Sequence, residues 1–117
     1  MQGLELRLPP SVNALHINRR GSYKRILSDE GRDYIYIYSI YVKKTLQDMG
    51  HKTFDDYVHI DIDWYLPNRK LDSHNLKKAM FDCLEKAGFV TNDKYIMDRT
   101  QSIQIDKYNP RAIIKWE

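Results

Sequence analysis

Nine residues from Val58 to Leu66, VHIDIDWYL, place an apolar side chain at every second position: Val58, Ile60, Ile62, Trp64 and Leu66. His59, Asp61, Asp63 and Tyr65 fill the gaps. Successive side chains of a strand point to opposite faces, so this segment reads as a strand with one buried and one polar face. Pro67 ends it. The period then changes. Leu76, Ala79, Met80, Cys83, Leu84 and Ala87 stand at i, i+3, i+4, i+7, i+8 and i+11, one apolar stripe on a helix from Asp72 to about Ala87. Gly88 follows at the C′ position, where a left-handed residue is favoured. A one-sided strand and a one-sided helix each need a partner, so the two must bury their apolar faces in a common core.

The rest of the chain supplies the other layers. Leu4, Leu6 and Leu8 alternate with Glu5 and Arg7, again strand chemistry, and Pro9-Pro10 stops it. Ser11 to Leu27 has no clear period and carries Gly21, which reads as a loop. Ser28 offers an N-cap, followed by Asp29 and Glu30 at the positive end of a helix. Tyr and Ile alternate over Tyr34 to Tyr38 as in a strand. The Pro-free run from Asp29 to Met49 and the Gly50 stop favour a helix, with Tyr34, Tyr38, Tyr41, Val42 and Met49 on one face. Thr100 to Lys107 and Ala112 to Trp116 read as two strands around a turn at Asn109-Pro110. The expected fold is α/β, of the α+β kind. It is a single domain over residues 1–117, a mixed sheet of about four strands carrying two main helices. Open sheet edges leave room for a dimer.

Composition narrows the function classes. Of 117 residues, 42% are hydrophobic and 30% charged, the balance of a globular domain. A single cysteine, Cys83, excludes an internal disulfide and a cysteine-rich zinc site, and its place on the helix stripe predicts an inert thiol. No apolar run is long enough to span a bilayer, and no basic flank with an apolar block opens the chain. The expectation is a cytoplasmic protein with no membrane partner. A net charge of +3 is only mildly basic. Its distribution says more, with bunches at Arg19, Arg20, Lys24 and Arg25 and again at Arg69, Lys70, Lys77 and Lys78.

The second bunch frames the segment LDSHNLKK, Leu71 to Lys78. Asp72 sits where the helix cap belongs, with its carboxylate in reach of the N–H groups of His74 or Asn75. His74, Lys78 and Asp82 stand at i, i+4 and i+8, and Asn75, Lys78 and Asp82 at i, i+3 and i+7, both away from the apolar stripe. A surface pair of Lys78 with Asp82 is the plain structural reading. The same face opens toward a helix N-terminus, which suits a phosphate. Asp61 and Asp63 share a strand face, and solvation or pairing with basic neighbours accounts for them. Most of the nine tyrosines are expected in the core and at interfaces.

Three segments together carry a resemblance: PPSVN at Pro9 to Asn13, GSYKRILSDEGRDY at Gly21 to Tyr34, and RKLDSHNLKKAMFDCLEKAGFVTND at Arg69 to Asp93. Their order and spacing resemble the RusA-like Holliday junction resolvases, small dimeric endonucleases of bacteria and phages. The resemblance covers nearly the whole chain. It implies a metal-dependent endonuclease that hydrolyses phosphodiester bonds in four-way DNA junctions, in recombination and repair. Asp72 matches the first catalytic aspartate, Lys78 the catalytic lysine, Asn75 the asparagine, Asp82 the helix aspartate and Asp93 the second acid of a late pair. Two positions depart: His74 stands for a metal-binding aspartate, and Asn92 for the first acid of that pair.

The resemblance thus implies catalytic roles for Asp72, His74, Lys78 and Asp93, and a divalent metal, Mg²⁺ or by preference Mn²⁺, held by Asp72, His74 and Asp93. Imidazole suits Mn²⁺ better than it suits Mg²⁺. Asp82 supports Lys78. Asn13, Arg19, Arg20, Lys24, Arg25, Arg69, Lys70 and Asn75 are the expected DNA contacts. The expected partners are branched DNA and a second copy of the chain, with no small-molecule cofactor. The alternative is a branched-DNA-binding protein whose metal site has decayed.

Overall fold

The computed structural model describes the backbone of residues 2–9, 16–18, 25–27 and 29–117, and the side chains of 2–9 and 31–117. The elements run β1 (Gln2–Arg7), β2 (His16–Asn18), β3 (Arg25–Leu27), α1 (Asp29–Asp48), β4 (Val58–Leu66), a 3₁₀ turn (Ser73–Leu76), α2 (Lys77–Lys86), a second 3₁₀ turn (Asp93–Tyr95), β5 (Ile96–Ile105) and β6 (Arg111–Trp116). The main sheet has the order β1-β6-β4-β5. β4 pairs parallel with β5, and β6 pairs antiparallel with both β4 and β1. The parallel pair requires a crossover, and α2 supplies it. The expected mixed four-stranded sheet with two helices is present.

β4 is central because both its edges are paired and its apolar residues have nowhere else to go. Ile60, Ile62, Trp64 and Leu66 are buried, with Leu4, Leu6, Ala112, Ile114 and Trp116 beside them on the neighbouring strands. The α2 stripe Leu76, Ala79, Met80, Cys83, Leu84 and Ala87 is buried in the same core, and α1 adds Tyr34, Val42 and Leu46. Trp64 donates its indole N–H to Thr100 Oγ1 at 3.1 Å, so its one polar atom is not stranded. Burial pushes the Cys83 thiol up to about 12, as expected of an inert core cysteine. Both helices end at glycines in the left-handed region, Gly50 (φ 69°) and Gly88 (φ 87°). The N–H of Phe89 donates to Leu84 O (2.9 Å) and that of Gly88 to Glu85 O (3.1 Å), closing α2 as a Schellman turn.

Three expectations need correction. The segment Ser11–Leu27 is not wholly loop: β2 and β3 pair antiparallel, with His16 opposite Leu27 and Asn18 opposite Arg25. Three-residue strands are too short to display a period. Tyr41 lies outside the buried face of α1 and is 56% exposed. The tyrosines are mostly not core: among those described only Tyr34 is buried, its hydroxyl donating to Arg7 O at 3.0 Å. Burial, then Cys83 and Tyr38, push that phenol well above its ordinary range. A smaller difference is that β5 begins at Ile96, four residues before the expected Thr100. The charged pair Asp98-Arg99 after Ile96 and Met97 breaks the apolar alternation and hid the start.

The polar face of the sheet is held by charge. Asp61 accepts from Arg99 Nε at 2.9 Å, while Asp63 accepts from Lys115 Nζ at 2.7 Å and Ser102 Oγ at 2.5 Å. Both aspartates are thus bonded to neighbours across the strands, as expected. Lys115, and after it Ser102, hold the Asp63 carboxyl below the ordinary carboxylate range. The folded state therefore binds that proton more weakly than the unfolded chain. The stabilisation is present above the unfolded pKa of about 3.9 and is lost as pH falls through the folded value. Asp63→Asn should cost about 1 kcal/mol at pH 7, allowing for the partial exposure of Lys115. Urea unfolding of both proteins at pH 7 and pH 3 checks this, and the gap should shrink at pH 3.

Candidate active site

The site grows from the loop that leaves β4. Asn68 Oδ1 accepts from the N–H groups of Lys70 (2.9 Å) and Leu71 (3.1 Å), turning the chain tightly after Pro67. Asn68, Arg69 and Lys70 are left exposed, and Leu71 is half-buried against the core. Asp72 then caps the helical segment in extended backbone geometry (φ −89°, ψ 116°), its Oδ1 accepting from His74 N at 2.9 Å. One of the two N–H partners anticipated for this carboxylate, that of His74, is therefore used. The N–H of Asn75 instead donates to the Asp72 carbonyl at 3.1 Å. The segment starts as a 3₁₀ turn and becomes α-helical at Lys77.

This start presents Asp72, His74, Asn75 and Lys78 to solvent, while Ser73, Leu76, Ala79 and Met80 are buried. Lys77 is not part of the open basic surface. Its Nζ lies 2.7 Å from Asp98 Oδ2, both side chains about four-fifths buried, and ties α2 to β5. Lys78 is 69% exposed, with its Nζ 3.6 Å from Asp82 Oδ1. A pair so exposed contributes well under about 1 kcal/mol to stability, so Lys78 stays available to an anion.

At the far end of α2, the turn through Gly88 carries the chain back to Asp93. Asn92 Oδ1 accepts from Lys94 N (3.0 Å) and so caps the short 3₁₀ turn that holds Asp93. The N–H of Asp93 donates to Glu85 Oε1 at 2.8 Å. This brings the Asp93 carboxyl close enough to Asp82 to act on its charge. Burial raises the Asp82 carboxyl above its ordinary range, Lys78 acts against that, and Asp93 raises it further.

Lys78, Asp82 and Asp93 are thus brought together, with Asp72 and His74 at the start of the same helical segment. Among the described residues, no three of His, Cys, Asp and Glu gather closely enough to hold a metal ion. Asp72, His74 and Asp93 therefore do not form a three-ligand cluster within the chain. The donor set still fits a hard divalent cation. Asp72 and Asp93 offer carboxylate oxygens, and Mg²⁺ is commonly held by one or two carboxylates with substrate phosphate completing its shell. Sequence reasoning missed Glu85, which positions Asp93; it stands at i+3 from Asp82, spacing that could have flagged it. Of the expected DNA contacts, Asn13, Arg19, Arg20 and Lys24 lie outside the described residues, and Arg25 has its backbone in β3.

A model of the family Endodeoxyribonuclease RusA matches residues 8–117, which include every residue of this constellation. The chain belongs to the RusA family. It is 34% identical over 96 residues to the crossover junction endodeoxyribonuclease RusA of Escherichia coli strain K12, covering 81% of this chain and 76% of that protein. The same values hold for the proteins of that name from Enterobacteria phage 82 and Shigella sonnei strain Ss046. Within the RusA family framework, the two departures noted in the sequence acquire a local setting. His74 is exposed at the helix start, and Asn92 serves as a cap that orients Asp93. Among the described residues, no helix is long and apolar enough to cross a membrane.

Proposed function

We propose that the protein is a divalent-metal-dependent endonuclease that resolves four-way DNA junctions by hydrolysing phosphodiester bonds. The observation that carries this reading is the family match over residues 8–117, joined to the clustering of Lys78, Asp82 and Asp93 along α2's polar face. Asp72, His74 and Asp93 are the proposed metal ligands, to be drawn together by the cation and the DNA phosphate on binding. A divalent cation held there would offset the charge of the scissile phosphate and lower the pKa of the attacking water. Lys78 would stabilise the charge that builds on the phosphate oxygens, while Asp82 orients Lys78 and crowds Asp93. Asn75, Arg69 and Lys70 would bind flanking phosphates, which confers affinity without sequence information.

Incubation with a labelled four-way junction in Mg²⁺, in Mn²⁺ and in chelator tests the reading. The expected result is symmetric nicking that chelator abolishes, with a linear duplex left intact. Junction binding without cutting in either metal would instead favour the non-catalytic, branched-DNA-binding alternative.

Resolution requires two nicks at related positions, which a twofold homodimer supplies. Ile37, Ile40 and Tyr41 form an exposed stripe on α1 at i, i+3 and i+4, each more than half exposed, and are the proposed contact. Sedimentation at micromolar concentration should give a dimer, and Ile40→Glu a monomer that no longer pairs its nicks. A wild-type monomer with full resolving activity would sink the dimer.

A further inference from the structure

The turn between β5 and β6 holds an aromatic ring out into solvent. Tyr108 is 92% exposed. A lone exposed tyrosine means nothing by itself, but this one is mounted on a braced support. The Asp106 carboxylate accepts from the N–H groups of Tyr108 (3.2 Å) and Asn109 (3.1 Å) and from Arg111 Nη1 (2.9 Å). Arg111 also donates to Asn109 O (2.9 Å), and its guanidinium lies 3.8 Å from the centroid of the Tyr65 ring. The N–H of Asp106 donates to Leu66 O at 2.7 Å. Arg111 above all, then the turn N–H groups, hold the Asp106 carboxyl below its ordinary range, so the brace persists at neutral pH.

Position is the second observation. Leu66 is the last residue of β4, so the brace anchors Tyr108 to the strand that feeds the catalytic loop. Tyr108, Asn109 and Pro110 line one side of a cleft of about 410 Å³ whose other walls include Pro9, Pro67 and Leu71. Leu71 directly precedes Asp72. The ring thus shares a cleft with the residue that leads into the proposed catalytic segment. Lys107 is the third observation: its Nζ lies 5.9 Å from the Tyr108 ring centroid, a cation next to an aromatic face. Aromatic rings with adjacent cations are how proteins hold unstacked bases and their phosphates.

We infer that Tyr108 is a stacking platform for a nucleobase at the branch point of the junction, with Lys107 on its phosphate. Bases inside a duplex have both faces covered by their neighbours; only where strands part is a face free. An aromatic ring on a braced turn, across a cleft from the start of the catalytic segment, would therefore distinguish a branch from a continuous helix. The inference rests on the junction-resolving function proposed above, and it assigns a specificity role to a residue outside the metal site. Its failure and that of the parent reading are separable by measuring binding to a four-way junction and to a duplex of equal length.

Anisotropy titrations of both labelled DNAs with wild type, Tyr108→Ala, Tyr108→Phe and Tyr108→Trp provide the test. Tyr108→Ala should weaken junction binding about tenfold and duplex binding less than about twofold, at unchanged Tm, with Phe and Trp restoring the junction preference. Equal loss on both DNAs would reduce the turn to a phosphate contact and overturn the inference. So would no loss at all, or a shift to monomer in sedimentation, which would make the turn an interface between copies. Wild type that prefers neither DNA would overturn the junction-resolving reading itself, and this inference with it.

Discussion

Asp72→Asn and Asp93→Asn are each expected to reduce cutting of a four-way junction to below about one-hundredth of wild type. Junction binding should stay close to wild type. Each change deletes one negative charge with almost no change in volume. The Asp72 cap should survive, because an asparagine side-chain oxygen accepts from the His74 N–H as the aspartate does at 2.9 Å. Asp93 is positioned by its backbone N–H on Glu85, so its own side chain is not needed for the turn. Metal affinity depends on carboxylate charge, whereas DNA affinity depends on Arg69, Lys70 and the other cations. Neither variant should lose measurable thermal stability. Cutting within tenfold of wild type by either variant would remove that residue from the metal site. Loss of binding together with cutting would point instead to damaged folding at the start of α2.

The second expectation concerns the metal. With His74 in the ligand set, the site has one fewer negative charge and one softer donor than a set of three aspartates. Wild type should therefore cut faster in Mn²⁺ than in Mg²⁺, and His74→Asp should shift the ratio toward Mg²⁺ by about tenfold. The substitution is well tolerated on structural grounds, since His74 is exposed and contributes only its backbone N–H to the Asp72 cap. A readout independent of cutting is the rise in Tm on adding each ion, which reports binding to the folded state. The Mn²⁺ rise should exceed the Mg²⁺ rise in wild type, and the difference should narrow in His74→Asp. Equal Mn²⁺/Mg²⁺ rate ratios in the two proteins would place His74 outside the metal shell, leaving Asp72 and Asp93 to hold the ion with solvent.

Much of this molecule is written in local pattern. The alternation of Val58 to Leu66 and the stripe from Leu76 to Ala87 identified the central strand and its helix because a period needs several repeats, and both segments contain them. Asp72 as a cap and Gly50 and Gly88 as stops follow from backbone geometry within a few residues, which sequence reports directly. The order of motifs from Pro9 to Asp93 carried the family, and the match over residues 8–117 agrees with it.

Contacts between distant residues are a different matter. Nothing in the chain order pairs Lys77 with Asp98, which withdraws one lysine from the basic surface, or joins Asp106 to Leu66 at the end of β4. The hairpin of β2 and β3 was equally invisible, its strands too short to repeat a pattern. Local sequence determined which residues face the core, because burial follows a short-range period. Only the tertiary structure decided which charges far apart in the chain meet, because pairing across strands and turns depends on register, and register is set by the packing of the whole sheet. That is why Asp93 could be named from its motif, while its place beside Asp82 and on Glu85 had to come from the fold.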